Sequence, residues 1–136
     1  MTIPAVSHFM SVQPCTVERS ATLADAHQIM RGHMVRHLPV LDHGDLCGIV
    51  TERDLHLLET LADADPETTL VEEAMQEKPF VVTGDTPLDE VLEIMAEHKY
   101  GSVIVAGRQG VEGIFTAVDA CHVFAQMLQR QQLTPE

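Results

Sequence analysis

The amino-acid sequence predicts an α+β fold made of two β-α-β-β-α units. The first observation behind this prediction is an internal repeat, since residues 10–54 align with residues 75–119 at a constant offset of 65 without a gap. The second is that each copy has apolar positions at helical spacing, followed by two short apolar segments typical of strands. One copy is too small to bury a sheet face well, so we expect the two units to pack together.

The repeat is carried by identical residues at matching positions. These pairs are Met10/Met75, Pro14/Pro79, Val17/Val82, Leu23/Leu88, Ile29/Ile94, Met30/Met95, His33/His98, Val40/Val105, Gly48/Gly113, Ile49/Ile114, Thr51/Thr116 and Asp54/Asp119. The most regular stretch is Gly48-Ile49-Val50-Thr51-Glu52-Arg53-Asp54, which recurs as Gly113-Ile114-Phe115-Thr116-Ala117-Val118-Asp119. An apolar pair followed by a capping threonine predicts a strand that runs directly into a helix. The first N–H groups of such a helix lack intrahelical partners, which suits an anionic ligand.

Each copy begins with a short extended segment, Pro14–Val17 in the first and Pro79–Val82 in the second. A helix follows, with apolar residues on one face and acidic or polar residues on the other. In the second copy Thr86 is the predicted N-cap, because Pro87 suits the first helical position and Asp89 completes a pattern like a capping box.

Two strands and a closing helix complete each copy. The predicted strands are Arg36–Leu41 and Leu46–Val50 in the first copy, and Gly101–Ala106 and Val111–Phe115 in the second. The two strands of a copy are joined by a glycine-containing turn. The closing helices are predicted to begin at Thr51 and Thr116. The repeat thus predicts a first unit over 1–62, a linker over 63–70, a second unit over 71–130 and a tail over 131–136.

The composition limits the classes of function. The 136 residues are 45% hydrophobic and 21% charged, which is typical of a globular protein. Eight Lys and Arg stand against 21 Asp and Glu, and a net charge of −13 argues against binding nucleic acid or an anionic membrane. No apolar run approaches the roughly 18 residues of a membrane span, and Met1–Met10 does not resemble a secretory signal. We therefore expect a cytoplasmic protein.

The residues that could carry redox, metal or catalytic chemistry form no convincing pattern. Cys15, Cys47 and Cys121 are odd in number and form no C-x-x-C pair, and their apolar neighbours predict buried free thiols. His33 and His37 are four residues apart, but the apolar run after His37 places it in a strand, and no acidic or cysteine ligand has a fitting spacing. We expect no metal site and no enzyme activity.

At this point the residues resemble a known family. Two β-α-β-β-α copies, each ending in Gly-h-h-Thr-x-x-Asp and preceded by a segment like Arg36-His37-Leu38-Pro39-Val40, are similar to a pair of cystathionine β-synthase (CBS) domains, called a Bateman module. The resemblance covers about residues 7–130. It implies a stand-alone module whose units pack sheet to sheet about a pseudo-twofold axis, and which commonly forms a homodimer.

The resemblance also implies ligands and the residues that hold them. AMP, ADP, ATP or S-adenosylmethionine would bind in clefts between the units, none of them as a required cofactor. Asp54 and Asp119 would accept hydrogen bonds from ribose hydroxyls, and Thr51 and Thr116 would meet phosphate oxygens. The adenine would lie against Cys15, Thr16, His37, Leu38 and Pro39 in one copy, and against Phe80, Val81, Gly101, Ser102 and Val103 in the other. We expect each cleft to combine the threonine and aspartate of one copy with strands of the other.

The two copies differ beside this motif. Arg53 places a guanidinium next to Thr51 and Asp54, whereas the second copy has Val118 at the matching position. A guanidinium is always charged and binds phosphate with two hydrogen bonds. If one cleft alone holds a multiply phosphorylated nucleotide, we expect it to be the one built on Thr51 and Asp54.

Two functions remain open. The first is a regulatory protein that senses energy or metabolite levels by binding adenosyl nucleotides, and that acts through a partner protein which the sequence does not name. The second is a ligand-free structural or protein-interaction dimer module. In that case the Thr-x-x-Asp pairs serve only as helix caps, worth roughly 0.5–2 kcal/mol each.

Overall fold

The computed structural model describes residues 2–12 and 15–131. The chain forms two compact units, one of residues 14–79 and one that combines residues 1–13 with 80–136. We call them the Thr51 unit and the Thr116 unit, after the threonine of the repeated motif in each. None of the helices in the described ranges is both long and apolar enough to cross a membrane.

The described residues form eight strands and four α-helices. In chain order these are β1 Ser11–Val12, β2 Val17–Glu18, α1 Leu23–His33, β3 His37–Asp42, β4 Asp45–Thr51, α2 Glu52–Leu61, β5 Gln76–Glu77, β6 Val81–Val82, α3 Leu88–His98, β7 Ser102–Gly107, β8 Gly110–Thr116 and α4 Ala117–Gln131. The order β-α-β-β-α is therefore confirmed in both copies. Pro14 of the first predicted extended segment, and residues 132–136 of the predicted tail, lie outside the described residues.

Each unit contains one four-stranded sheet with the same pairing. The strand order is β2-β3-β4-β5 in the Thr51 unit and β6-β7-β8-β1 in the Thr116 unit. In each sheet the first two strands are parallel and the remaining neighbours are antiparallel. The start of the second strand lies opposite the motif threonine, with His37 facing Thr51 and Ser102 facing Thr116. The sheet thus brings the beginning of one strand to the beginning of the closing helix.

Each unit takes its edge strand from the beginning of the other copy of the repeat. Strand β5 pairs with β4 in the Thr51 unit, and β1 pairs with β8 in the Thr116 unit. Short 3-10 turns before these strands contribute Val71 and Val6 to the two hydrophobic cores, where both are fully buried. The compact units therefore differ from the boundaries that the repeat predicts, since residues 71–79 pack with the first copy and residues 2–12 with the second.

Gly48 and Gly113 are required because the edge strand passes very close to them. A Cβ atom added at Gly48 would lie 2.8 Å from the backbone oxygen of Gln76 and 2.9 Å from Sδ of Met75. A Cβ atom added at Gly113 would lie 2.5 Å from Sδ of Met10 and 2.7 Å from a backbone oxygen of β1. The repeat of this glycine and this methionine in the sequence thus reflects one packing contact that both units make.

The start of the first helix differs from the prediction in the second copy. In the Thr51 unit the hydroxyl of Thr22 accepts a hydrogen bond from the N–H of Asp25, whose carboxylate accepts one from Thr22 in return. Helix α3 instead has Pro87 as its N-cap residue, without a side-chain capping bond. The prediction that Thr86 is the N-cap was therefore wrong. Thr86 bonds through its backbone to the N-terminal segment, since its carbonyl accepts the N–H of Val6.

Replacing Gly113 with alanine should destabilise the Thr116 unit. The new methyl group would overlap β1 and Met10, and overpacking of this kind costs about 1–3 kcal/mol. Denaturant unfolding should show a lower midpoint at an unchanged slope. The matched control is Gly32→Ala in α1, where no atom lies within 4 Å of the added Cβ. That variant should gain roughly 0.5–1 kcal/mol, and equal stability of the two variants would contradict the packing argument.

Candidate functional site

The repeated motif forms a capping box in both units. The hydroxyl of Thr51 accepts the N–H of Asp54 at 3.1 Å, and the carboxylate of Asp54 accepts the N–H of Thr51 at 2.9 Å. Thr116 and Asp119 make the same two bonds at 3.2 and 2.9 Å. The predicted strand-to-helix junction with a threonine cap is therefore confirmed in each copy, since α2 and α4 begin one residue after the threonine.

The junction leaves one N–H group of the first helical turn for a ligand. The N–H of Glu52 donates to the carbonyl of Arg36, and the N–H of Ala117 donates to the carbonyl of Gly101, at 2.9 Å in each case. The capping box uses the N–H groups of the threonine and the aspartate. The remaining donor is the N–H of the second helical residue, Arg53 or Val118. A donor at a helix start, next to a threonine hydroxyl, suits an anionic or polar oxygen.

The predicted strand residues differ in what they can offer a ligand. His37, Ser102 and Gly101 lie beside the motif threonine of their own unit, through the sheet register and the carbonyl bond of Gly101. Leu38 and Val103 are fully buried in the hydrophobic cores of their units, so their side chains are not available.

The other predicted contacts lie at the first strand of each sheet or inside it. Cys15 and Thr16 are partly buried and precede β2, Val81 is exposed in β6, and Pro39 is buried in β3. The structure therefore brings His37, Gly101 and Ser102 directly to the motif and leaves backbone atoms as the available part of the buried positions. That these residues contact a ligand stays a prediction.

Gln76 is a residue at the site that the sequence did not reveal. Its side-chain amide donates to both carboxylate oxygens of Asp54, at 3.3 and 3.4 Å. Gln76 lies in β5 opposite Ile49, so it reaches Asp54 only because the edge strand docks on β4. The matching position in the other unit is Ser11, so the repeat gives no signal for this contact.

The arginines of the Thr51 unit differ in whether they form ion pairs. Arg19 does, since its guanidinium lies 2.8 Å from the carboxylate of Glu72 and 3.6 Å from that of Asp42. The hydrogen bond to Glu72 raises the pKa of Arg19 further above its ordinary value. By contrast, no ion pair within 2–12 and 15–131 involves Arg36 or Arg53. Arg53 is the second residue of α2, and the backbone carbonyl of Arg36 accepts the first N–H of that helix, so both arginines belong to the junction.

The histidines and cysteines do not assemble a reactive centre in the part of the chain that the structure describes. Within that part, no group of three or more His, Cys, Asp or Glu side chains could hold a metal ion. His33 ends α1 and His37 begins β3, as the strand assignment of His37 predicted. Cys15 and Cys47 are partly buried free thiols, but Cys121 is exposed on α4, so the expectation that all three are buried was wrong for Cys121.

Known proteins match the chain over both units. The sequence profile of the CBS domain family matches residues 6–57 and 71–126. The uncharacterized protein YlbB of Bacillus subtilis is 36% identical over 110 residues, covering 79% of this chain and 72% of that protein. The crystal structure of the CBS domain pair of protein MJ0100, in complex with 5′-methylthioadenosine and S-adenosyl-L-methionine, has a TM-score of 0.82 and 29% identity, covering 93% of this chain and 99% of that one.

A second solved structure holds a different adenosyl ligand. The crystal structure of CBSX2 in complex with AMP has a TM-score of 0.74 and 25% identity, covering 91% of this chain and 98% of that one. With two segments matched by the family profile and a CBS pair as structural neighbour, the chain belongs to the CBS domain family and carries a tandem pair of CBS domains. The predicted family and fold class are thereby confirmed.

Cys47 and Cys121 should react at different rates with an alkylating reagent. Cys121 is exposed and should be labelled first. Burial raises the pKa of Cys47, whose thiol also donates to the carbonyl of Val40 at 3.4 Å, so it holds less reactive thiolate at pH 8 and should be labelled slowly. Mass spectrometry of the folded protein with iodoacetamide would measure the order. Equal rates for Cys47 and Cys121 without denaturant would contradict this assignment.

Proposed function

We propose that this protein is a regulatory module that binds adenosyl nucleotides and acts through a partner protein. The observation that carries the proposal is the duplicated strand-to-helix junction, with a threonine hydroxyl, an aspartate and an unused N–H group at each helix start. CBS domain proteins that resemble this chain over most of its length hold AMP, or 5′-methylthioadenosine and S-adenosyl-L-methionine.

Each group at the junction has a role in this proposal. The carboxylates of Asp54 and Asp119 accept hydrogen bonds from ribose hydroxyls, because each carboxylate oxygen can accept more than one bond. The threonine hydroxyls and the N–H groups of Arg53 and Val118 face the 5′ end of the ligand. The adenine lies against the early strands, where Cys15, Thr16, His37, Pro39, Val81, Gly101 and Ser102 supply backbone and side-chain contacts. Arg53 and Arg36 favour a phosphorylated ligand in the Thr51 unit.

Regulation requires that the ligand distinguish two states of the protein. A ligand that binds both states equally shifts no equilibrium, however tightly it binds. In the Thr51 unit the contact of Gln76 with Asp54 supplies such a difference, since ribose hydroxyls and the Gln76 amide donate to the same carboxylate. Occupancy therefore changes the environment of β5, the edge strand that leads into the second copy. We propose that a cytoplasmic homodimer transmits this change to its target protein.

One observation favours a second candidate, a structural or interaction module without a ligand. The carboxylate of Asp54 is already bonded to the N–H of Thr51 and to Gln76, so the motif is satisfied as a helix cap without further partners. A cap of this kind contributes roughly 0.5–2 kcal/mol. The two candidates make opposite predictions about ligand-dependent stability.

An adenosyl ligand should raise the unfolding temperature of the wild-type protein. A ligand that binds the folded state alone, present at 100 times its Kd, adds about 2.7 kcal/mol to the free energy of unfolding. A thermal-shift screen with AMP, ATP, NADH and S-adenosylmethionine would measure this effect. For a ligand that gives a shift, Asp54→Ala combined with Asp119→Ala should weaken binding at least about tenfold, because each junction loses its charged acceptor.

The matched control is Asp89→Ala. Asp89 also lies in the first turn of a helix, but α3 has no side-chain capping bond. This variant should bind the ligand as the wild type does. If none of the four compounds shifts the unfolding temperature, the ligand-free module is the better description.

A further inference from the structure

Resting on the proposed function, we propose that the two units select different ligands. The Thr116 unit takes an adenosyl compound with an uncharged 5′ substituent, such as a thioether, and discriminates against 5′-phosphate. The Thr51 unit takes the 5′-phosphorylated nucleotide. The protein would then read two chemically distinct signals at two junctions of the same backbone geometry.

The second residue of the closing helix decides which ligand each unit selects. In both units this second helical residue carries the unused N–H group, and its side chain lies beside the motif threonine in the chain. Arg53 is exposed and takes part in no ion pair among the described residues. Val118 is also 64% exposed, so an apolar side chain stands in solvent at the site where the other unit presents a guanidinium. The side chain of an exposed valine offers a phosphate no positive charge and offers an alkyl group an apolar contact.

The two units also differ in charge at the residue whose carbonyl accepts the first N–H of the closing helix. The carbonyl of Arg36 accepts the N–H of Glu52, so a second arginine is held by its backbone at the start of α2. The matching anchor at the start of α4 is Gly101, which has no side chain. The Thr51 unit thus has two arginines at its junction, alongside the carboxylates of Glu52 and Asp54. The Thr116 unit has no arginine at the matching positions, and Asp119 is the carboxylate of its first turn.

The other cations of the Thr116 unit do not replace these arginines. Arg108 lies in the turn between β7 and β8, six residues after Ser102, and the five steps from Ser102 to Gly107 at the end of β7 span about 17 Å at the rise of a strand. Lys99 ends α3 in a left-handed conformation and is exposed, and the matching Met34 is 92% exposed. That position therefore points into solvent. An anionic 5′ group would meet Asp119 without a compensating positive charge.

An aromatic stack adds to the apolar character of the Thr116 unit. The rings of Phe80 and Tyr100 stack at 5.4 Å between centroids, and those of Tyr100 and His98 at 5.2 Å. Tyr100 precedes Gly101, whose carbonyl holds the N–H of Ala117 at the start of α4. The stack is therefore anchored next to the junction. The matching residues of the Thr51 unit are Cys15, Val35 and His33, which cannot form such a stack.

Single-site variants and a matched set of ligands test the selectivity. Asp54→Ala leaves the Thr116 site, and Asp119→Ala leaves the Thr51 site. Adenosine and AMP differ by the phosphate alone, and 5′-methylthioadenosine adds a thioether. Calorimetric titration at pH 8 compares the affinities of all three compounds. The Asp54→Ala protein should bind 5′-methylthioadenosine and adenosine at least about tenfold more tightly than AMP, and Asp119→Ala should show the reverse order.

Adding Val118→Arg to the Asp54→Ala protein should improve AMP binding by about tenfold, since it supplies the missing guanidinium. Gln126→Arg is the control, because it adds the same charge to an exposed position of α4 about 12 Å further along the helix. The control should leave AMP binding as it was. Asp54→Ala also removes the Asp54 cap of α2, so Val118→Arg is tested in the otherwise wild-type chain as well. There it should raise the number of AMP molecules bound per chain from one to two.

The outcomes separate this inference from the proposed function. Binding of AMP by Asp54→Ala as tight as that of adenosine, or no gain from Val118→Arg, would overturn the selectivity and leave adenosyl binding intact. If Asp119→Ala binds ligand and Asp54→Ala binds none, the Thr116 unit has no site and the inference fails alone. If the wild type binds none of the three compounds, both proposals fail.

Discussion

The close passage of an edge strand over a glycine is the contact on which both units depend. At Gly48 and Gly113 the space that a Cβ would occupy is filled by a backbone oxygen and a methionine sulfur. This contact lets a two-residue strand complete each sheet, and it brings Val71 and Val6 into the two cores. Because each edge strand comes from the beginning of the other copy, neither copy of the repeat is a complete packing unit by itself.

The same arrangement determines what the motif can do. The capping box holds threonine and aspartate at a helix start in both units, and this geometry needs no ligand. Ligand binding would use what the cap leaves over, namely the N–H of the second helical residue and the spare lone pairs of the carboxylate. In the Thr51 unit part of that capacity is taken by Gln76, which belongs to the edge strand. The carboxylate of Asp54 therefore takes part in strand packing and, in the proposed function, in ligand recognition as well.

The identity of the family adds a reason to regard the junctions as sites. CBS domain pairs with closely similar structures hold adenosyl compounds with and without phosphate. In this chain the two junctions share their backbone geometry but not their side chains, since arginines flank one and Gly101 and Val118 flank the other. In the proposed function, two junctions of the same backbone geometry with different flanking side chains would suit two related ligands rather than two copies of one.

Much of this molecule follows from the sequence alone. The duplicated pattern of helical and strand spacing determined the order of elements, and the Thr-x-x-Asp motif determined the two capped helix starts, because both depend on residues within four positions of each other. Tertiary structure alone decided that Thr86 bonds to the N-terminal segment instead of capping α3, that Cys121 is exposed, and that Gln76 reaches Asp54. The contacts of Thr86 and Gln76 depend on which distant segment docks on each sheet. No local pattern encodes that choice, because it results from the fit of one strand against a glycine far away in the chain.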